Sequence, residues 1–140
     1  VEKAISTFAQ EPPPSDVAAH CDWIDRCYAG ESVADIVDAL RAEENPAATE
    51  AAELIGSRSP IALSVTLAAV RRARSLPSLE DVLRQEFRVS CASLRSHDLV
   101  EGIRAQVIDK DRDPKWATFS EDAVDAFFAP LPDDLTFPTV

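Results

Sequence analysis

Helix starts recur along this chain and no segment alternates apolar and polar residues at period two for long enough to make a strand. Ser32 with Asp35 and Ser78 with Asp81 have the capping-box spacing, in which a side chain at each end of the first turn satisfies a backbone donor at the other. Asn45-Pro46 and Ser59-Pro60 join a capping side chain to a proline at the first helical position, where its missing N–H is no loss. Asp98 with Glu101 repeats the box, and Ser120 precedes a short apolar run. The pattern predicts an all-α chain of about seven or eight helices.

Between these starts the apolar residues recur at helical spacing. Val1, Ala4, Ile5 and Phe8 predict a short first helix, ended by Pro12-Pro13-Pro14. Ser15 or Asp16 caps a second, with Val17, Cys21, Ile24 and Tyr28 on one face, Trp23 at its margin and Gly30 as a left-handed stop. Val33, Ile36, Val37 and Leu40 form the third helix; Ala47, Ala51, Leu54 and Ile55 lead the fourth to Gly56. The helix from Ile61 to Arg74 is apolar nearly all round in its first half, which predicts a central helix buried on two sides. The next carries Leu79, Val82, Leu83, Phe87, Cys91 and Leu94. Pro130, Pro132 and Pro138 then force an extended tail.

The window HDLVEGIRAQVIDKDRDPKW, residues 97–116, carries the densest information. Leu99, Ile103 and Val107, widened by Val100 and Ile108, predict a helix packing that stripe onto a core. Gly102 inside it costs about 1 kcal/mol against alanine, so it points to the close approach of another element. Asp109, Lys110, Asp111, Arg112 and Asp113 follow as a charged loop. Asp109, Asp111 and Asp113 have the spacing of the first half of a calcium-binding loop. Pro114 stands where that loop needs glycine and Ser120 where it needs glutamate, so a salt-bridged structural loop is expected and no metal site.

Charge and cysteine usage narrow the function classes. The net charge of -11 argues against general binding to nucleic acid or to an anionic membrane surface. Arg71, Arg72 and Arg74 close the central helix, where cations complement its dipole. Cys21, Cys27 and Cys91 form neither a zinc pattern nor a disulfide framework, which leads to the expectation of a reduced, cytoplasmic protein. No apolar run approaches a membrane span. His20 and His97, the only histidines, have no accompanying nucleophile motif such as GxSxG, and Cys91 falls on a core stripe.

The same window resembles the C-terminal signature of 3-hydroxyisobutyryl-CoA hydrolases, a branch of the enoyl-CoA hydratase/isomerase (crotonase) superfamily. Glu53-Leu54-Ile55, Ser59-Pro60-Ile61-Ala62-Leu63 and Asp81-Val82-Leu83-Arg84-Gln85-Glu86-Phe87-Arg88 are similar in order and spacing to the helices that close such enzymes. The stretch CDWIDRCYAGESVADIVDAL, residues 21–40, resembles the helical insert of the hydrolase branch.

The resemblance divides the chain into a helical insert at 1–44, a crotonase-like helical region at 45–128 and an extended tail at 129–140. It implies a parent enzyme that hydrolyses an acyl-CoA thioester, or alternatively an enoyl-CoA hydratase/isomerase. With valine at residue 1 and no counterpart of the family's glycine-rich oxyanion segments, the chain is expected to be a piece lacking the β-α spiral core, inactive alone. No catalytic residue is therefore carried over. Lys110 is the nearest counterpart of the basic residue that contacts coenzyme A in the superfamily, and Trp116 is expected to be a packing anchor. The implied partners are the missing N-terminal core and further copies in a homo-oligomer; acyl-CoA is the implied substrate, and no cofactor is expected. A reading of a different class is a free-standing helical interaction module with an apolar groove around Ile61 to Val70.

Overall fold

The structure, a computed structural model, describes residues 8–10, 12–15 and 17–138. Seven α-helices and no strands occur among them. The helix expected over residues 1–8 lies, apart from the exposed Phe8, outside the described residues, as does Asp16.

A 3-10 turn, Val17–His20, leads into α1, Cys21–Cys27. It is capped by the Ser15 hydroxyl, which accepts from the Ala18 N–H at 3.3 Å. Helix α2, Val33–Ala42, opens with the expected box: the Asp35 N–H donates to the Ser32 hydroxyl at 3.1 Å and the Ser32 N–H donates to the Asp35 carboxylate at 2.9 Å. Asn45 caps α3, Pro46–Gly56, through the Ala47 N–H, and Ser59 caps α4, Pro60–Ala73, through the Ala62 N–H. Ser78 caps α5, Leu79–Ser93.

Neither Gly30 nor Gly56 is left-handed, because no glycine among the described residues has a positive φ. Gly30 is needed for a different reason. A Cβ there would stand 2.9 Å from the Asp35 Cβ and 3.0 Å from the Ile36 nitrogen, so only a bare backbone can pass the start of α2 this closely. Arg71, at the end of α4, fastens that turn by donating to the carbonyls of Gly30 and Glu31.

The core lies between α1, α2 and α3. Cys27, Ile36, Leu40, Ala48 and Ala52 are buried together, with Trp23, Val37, Ala39, Ala51, Ile55 and Leu67 packed around them. The cluster crosses residue 44, so the insert and the region after it share one core. Leu40 is the one large side chain that is fully buried among the described residues. Central α4 sinks Ile61, Val65 and Ala69 and packs against α2, α5 and α7, Glu121–Asp125, while Val70 stays exposed. On α5 the expected stripe is only partly used: Leu79, Leu83 and Leu94 are exposed. Gln85 is buried instead and donates its amide to the Ala69 carbonyl at 3.0 Å, closing the α4–α5 contact with a satisfied polar group.

Two arginines of α5 tie down the tail. Arg88 Nε donates to Asp134 at 2.7 Å and Arg84 Nε to the Leu135 carbonyl at 3.1 Å, with the Arg84 guanidinium over the Phe137 ring. At the C-terminal end of α4, next to Arg71, Arg72 pairs with Asp125 at 3.1 Å and lies 3.9 Å over Phe128. Two of the three arginines assigned to the helix dipole thus also serve as tertiary clamps.

Candidate functional site

Helix α6, His97–Ile103, runs into a π-helical turn, Arg104–Ile108, and then into the charged loop. The capping box expected from Asp98 and Glu101 is not formed. Ser96 is the cap, accepting from the Leu99 N–H at 3.2 Å, and both carboxylates are released for tertiary work. Asp98 is buried and reaches across to the start of α4, where the Ser59 hydroxyl donates to it at 2.5 Å. The Ala117 N–H donates to its other oxygen at 2.8 Å, and the His97 ring nitrogen lies 3.0 Å from the same atom. Burial pushes this carboxyl up, but the hydrogen bonds from His97, Ser59 and Ala117 outweigh it and leave it below the ordinary value.

Glu101 faces the loop. It takes two hydrogen bonds from the Arg104 guanidinium, at 2.9 and 2.8 Å, and one from the Lys115 N–H at 2.7 Å. Its carboxyl is held at about 2, first by Arg104 and then by that backbone donor. Arg104 also donates to Asp109 at 2.8 Å, to Asp111 at 2.6 Å and to the Asp113 carbonyl at 3.3 Å. Its own pKa is raised by these carboxylates, Glu101 foremost, and Asp111 is lowered chiefly by Arg104. The expected salt-bridged loop is thus built around one guanidinium. Asp109 and Asp111 turn to Arg104 while Asp113 pairs with Lys115 at 2.5 Å, so the three aspartates do not converge on a cation position.

The loop carries strain. Lys110 at φ 59° and Arg112 at φ 56° are left-handed, a region that costs a residue with a side chain on the order of 1–3 kcal/mol. The π-turn is closed by the Asp109 N–H donating to the Arg104 carbonyl at 2.8 Å, and the Arg112 N–H returns to the Ala105 carbonyl at 3.0 Å. That wider turn shifts the register after Ile103, so Ala105 is buried while Val107 is exposed.

The stripe does not face a core at all. Leu99, Val100, Ile103, Val107 and Ile108 are 38 to 69% exposed. Helix α6 is instead held through Asp98, Ala105 and the bare face of Gly102, where a Cβ would lie 3.4 Å from the Trp116 ring. Trp116 donates its indole N–H to the Ser57 carbonyl at 3.2 Å, so it anchors the strand of loop after Pro114 against the α3–α4 junction. Beside the stripe lies a groove of about 670 Å³, walled by Ile61 and Val65 of α4, Leu99 and Ile103 of α6, and Trp116, with Arg112 on its rim.

Lys110 is exposed at the tip of the loop. The Ser59–Asp98 bond and the Arg104 hub were not anticipated from sequence. The Glu101-to-Arg104 spacing of three on a helix is the one signal that points to the hub; nothing local marks Ser59 and Asp98 as partners.

Residues 1–128 match the family model described as enoyl-CoA hydratase/isomerase. The 3-hydroxyisobutyryl-CoA hydrolase, mitochondrial, of Gallus gallus is 38% identical over 117 residues, 80% of this chain and 30% of the relative. The human protein of the same name is 38% identical over 97 residues, 69% of this chain and 25% of the relative. A carnitinyl-CoA dehydratase structure from Mycobacterium thermoresistibile superposes with a TM-score of 0.87 at 60% identity, over 97% of this chain and 40% of that one. An enoyl-CoA hydratase structure from Rhodobacter sphaeroides 2.4.1 gives 0.82 at 34% identity, over 91% and 40%. The chain therefore spans well under half the length of these relatives. With the family model covering more than half of its residues, the chain belongs to the enoyl-CoA hydratase/isomerase family.

Proposed function

We propose that this chain is the helical C-terminal region of an acyl-CoA enzyme resembling 3-hydroxyisobutyryl-CoA hydrolase, packed over a β-α core that holds the chemistry. The observation that carries the reading is the exposed stripe on α6 beside an apolar groove, in a chain that spans 25 to 40% of its relatives. A contiguous apolar face of this kind is costly in water and fits burial by another folded unit. The region helps close the acyl-CoA site and contributes to contacts between copies in a homo-oligomer, with the boundaries 1–44, 45–128 and 129–140 separating insert, closing helices and tail. Lys110, on the strained loop, contacts the phosphates or the adenine end of coenzyme A. In such an enzyme the thioester oxyanion is stabilised by backbone donors of the core, and acid/base work falls to its carboxylates.

The three free cysteines fit a reducing compartment such as the cytoplasm, although the vertebrate relatives are named mitochondrial. No helix among the described residues is long and apolar enough to cross a membrane.

A second reading, a hydratase or dehydratase of acyl-CoA, is favoured by the 60% identity to the carnitinyl-CoA dehydratase structure. The two separate in one experiment on the full-length enzyme. Thiol release from 3-hydroxyisobutyryl-CoA supports the hydrolase, whereas dehydration of carnitinyl-CoA or hydration of an enoyl-CoA without thiol release supports the alternative. Absence of both activities refutes the proposal.

A further inference from the structure

The geometry points to Arg104 as a positioning residue: its guanidinium gathers the loop after α6 so that Lys110 and Arg112 are held left-handed and presented to the anionic end of an acyl-CoA. This rests on the proposed role of Lys110. Glu101, Asp109, Asp111 and the Asp113 carbonyl all accept from the one side chain, and no other group in the loop could neutralise three carboxylates at once. Lys110 and Arg112 alternate with Asp109, Asp111 and Asp113 along the loop. Drawing Asp109, Asp111 and the Asp113 carbonyl inward to a common centre leaves the intervening Lys110 and Arg112 outside it, and the left-handed φ at both positions is the backbone's response. Without Arg104 the carboxylates would repel one another, and the strained conformation would keep only its backbone bonds, such as that from the Arg112 N–H to the Ala105 carbonyl.

The arrangement has two consequences for an anion. The acidic side chains that would otherwise oppose a phosphate are neutralised on the inner side. The cations, one of them on the rim of the apolar groove, remain at the surface. An acyl-CoA has a matching division into an apolar acyl arm and a phosphate-bearing end.

The test measures the dissociation constant of coenzyme A for the full-length enzyme carrying Lys110→Ala, Arg104→Gln or both, together with amide exchange at Arg112 and Lys115. Asp111→Asn is included because it loosens the hub from an exposed position without threatening the fold. Lys110→Ala is expected to weaken binding about five-fold, the worth of one partly screened charge pair. Arg104→Gln, which frees Arg112 as well, should weaken it at least as much, Asp111→Asn should lie between Arg104→Gln and the unaltered enzyme, and the double variant should be no worse than Arg104→Gln alone. Exchange at both amides should quicken in Arg104→Gln while that of the Leu40 amide in α2 holds. If Lys110→Ala weakens binding but Arg104→Gln does not, the positioning role is overturned while the Lys110 contact stands. If Lys110→Ala has no effect, the contact itself fails and the positioning role falls with it.

Discussion

The Ser59 hydroxyl and the Asp98 carboxylate meet at 2.5 Å although 39 residues separate them, and both groups are buried. Ser59 simultaneously caps α4, so a single oxygen joins the start of the central helix to the start of α6. Asp98→Ala leaves the Ser59 hydroxyl and the Ala117 N–H without their acceptor, and is expected to cost about 1–3 kcal/mol of unfolding free energy. Urea titration measures it. Ser96→Ala, which removes the half-buried cap of α6 together with its bond to the Ser93 carbonyl, should cost about 1 kcal/mol.

Acid should loosen this corner. Asp98 and Glu101 both have folded values below their unfolded ones. Their contribution is therefore complete above the ordinary carboxylate range and is lost as pH falls through the depressed values, down to about 2 for Glu101. Amide exchange at Ala117 and Lys115, compared at pH 5 and about pH 3, should rise relative to α3. The Glu101→Gln variant should lose that pH dependence at Lys115.

The glycines separate three physical demands. Gly30→Ala places a Cβ 2.9 Å from that of Asp35 and should destabilise by about 1–3 kcal/mol, since neither backbone can retreat without opening the α2 cap. Gly56→Ala meets nothing within 4 Å and should stabilise by about 0.4–1 kcal/mol. Gly102→Ala, 3.4 Å from the Trp116 ring, should be tolerated, whereas Gly102→Leu should displace the indole and raise its fluorescence response to quenchers. Thermal unfolding of the set ranks them.

Leu40→Ala removes the one large, fully buried side chain and is expected to cost about 2–5 kcal/mol. By contrast Val107→Ala, on the exposed stripe, should leave the stability of this chain within about 0.5 kcal/mol of its starting value. In the full-length enzyme the same substitution should be destabilising, because there the stripe is proposed to be covered.

Helix starts were legible because capping is local: Ser32, Asn45, Ser59 and Ser78 each accept a first-turn N–H, although of the Ser32 and Ser78 pairs only Ser32 with Asp35 completes the reciprocal box. The all-α class and the central place of α4 followed from the same short-range patterns. Asp98 and Glu101 misled because a carboxylate in a first turn satisfies the cap pattern whether or not a better acceptor site exists elsewhere, and Ser96 was already available. The stripe of Leu99, Ile103 and Val107 was correctly seen as apolar, but periodicity says that a face seeks burial without saying where its cover comes from. The loop's hub was hidden for a different reason. Five charges in a row look solvated until the fold shows that Arg104, upstream of the run, binds two of them.

Thiol release from 3-hydroxyisobutyryl-CoA by these 140 residues alone, set beside the same residues joined to the β-α core proposed for the enzyme, tests the proposed function most directly. No release above buffer is expected from the chain alone, and turnover from the joined protein. Turnover by the chain alone would contradict the proposed function.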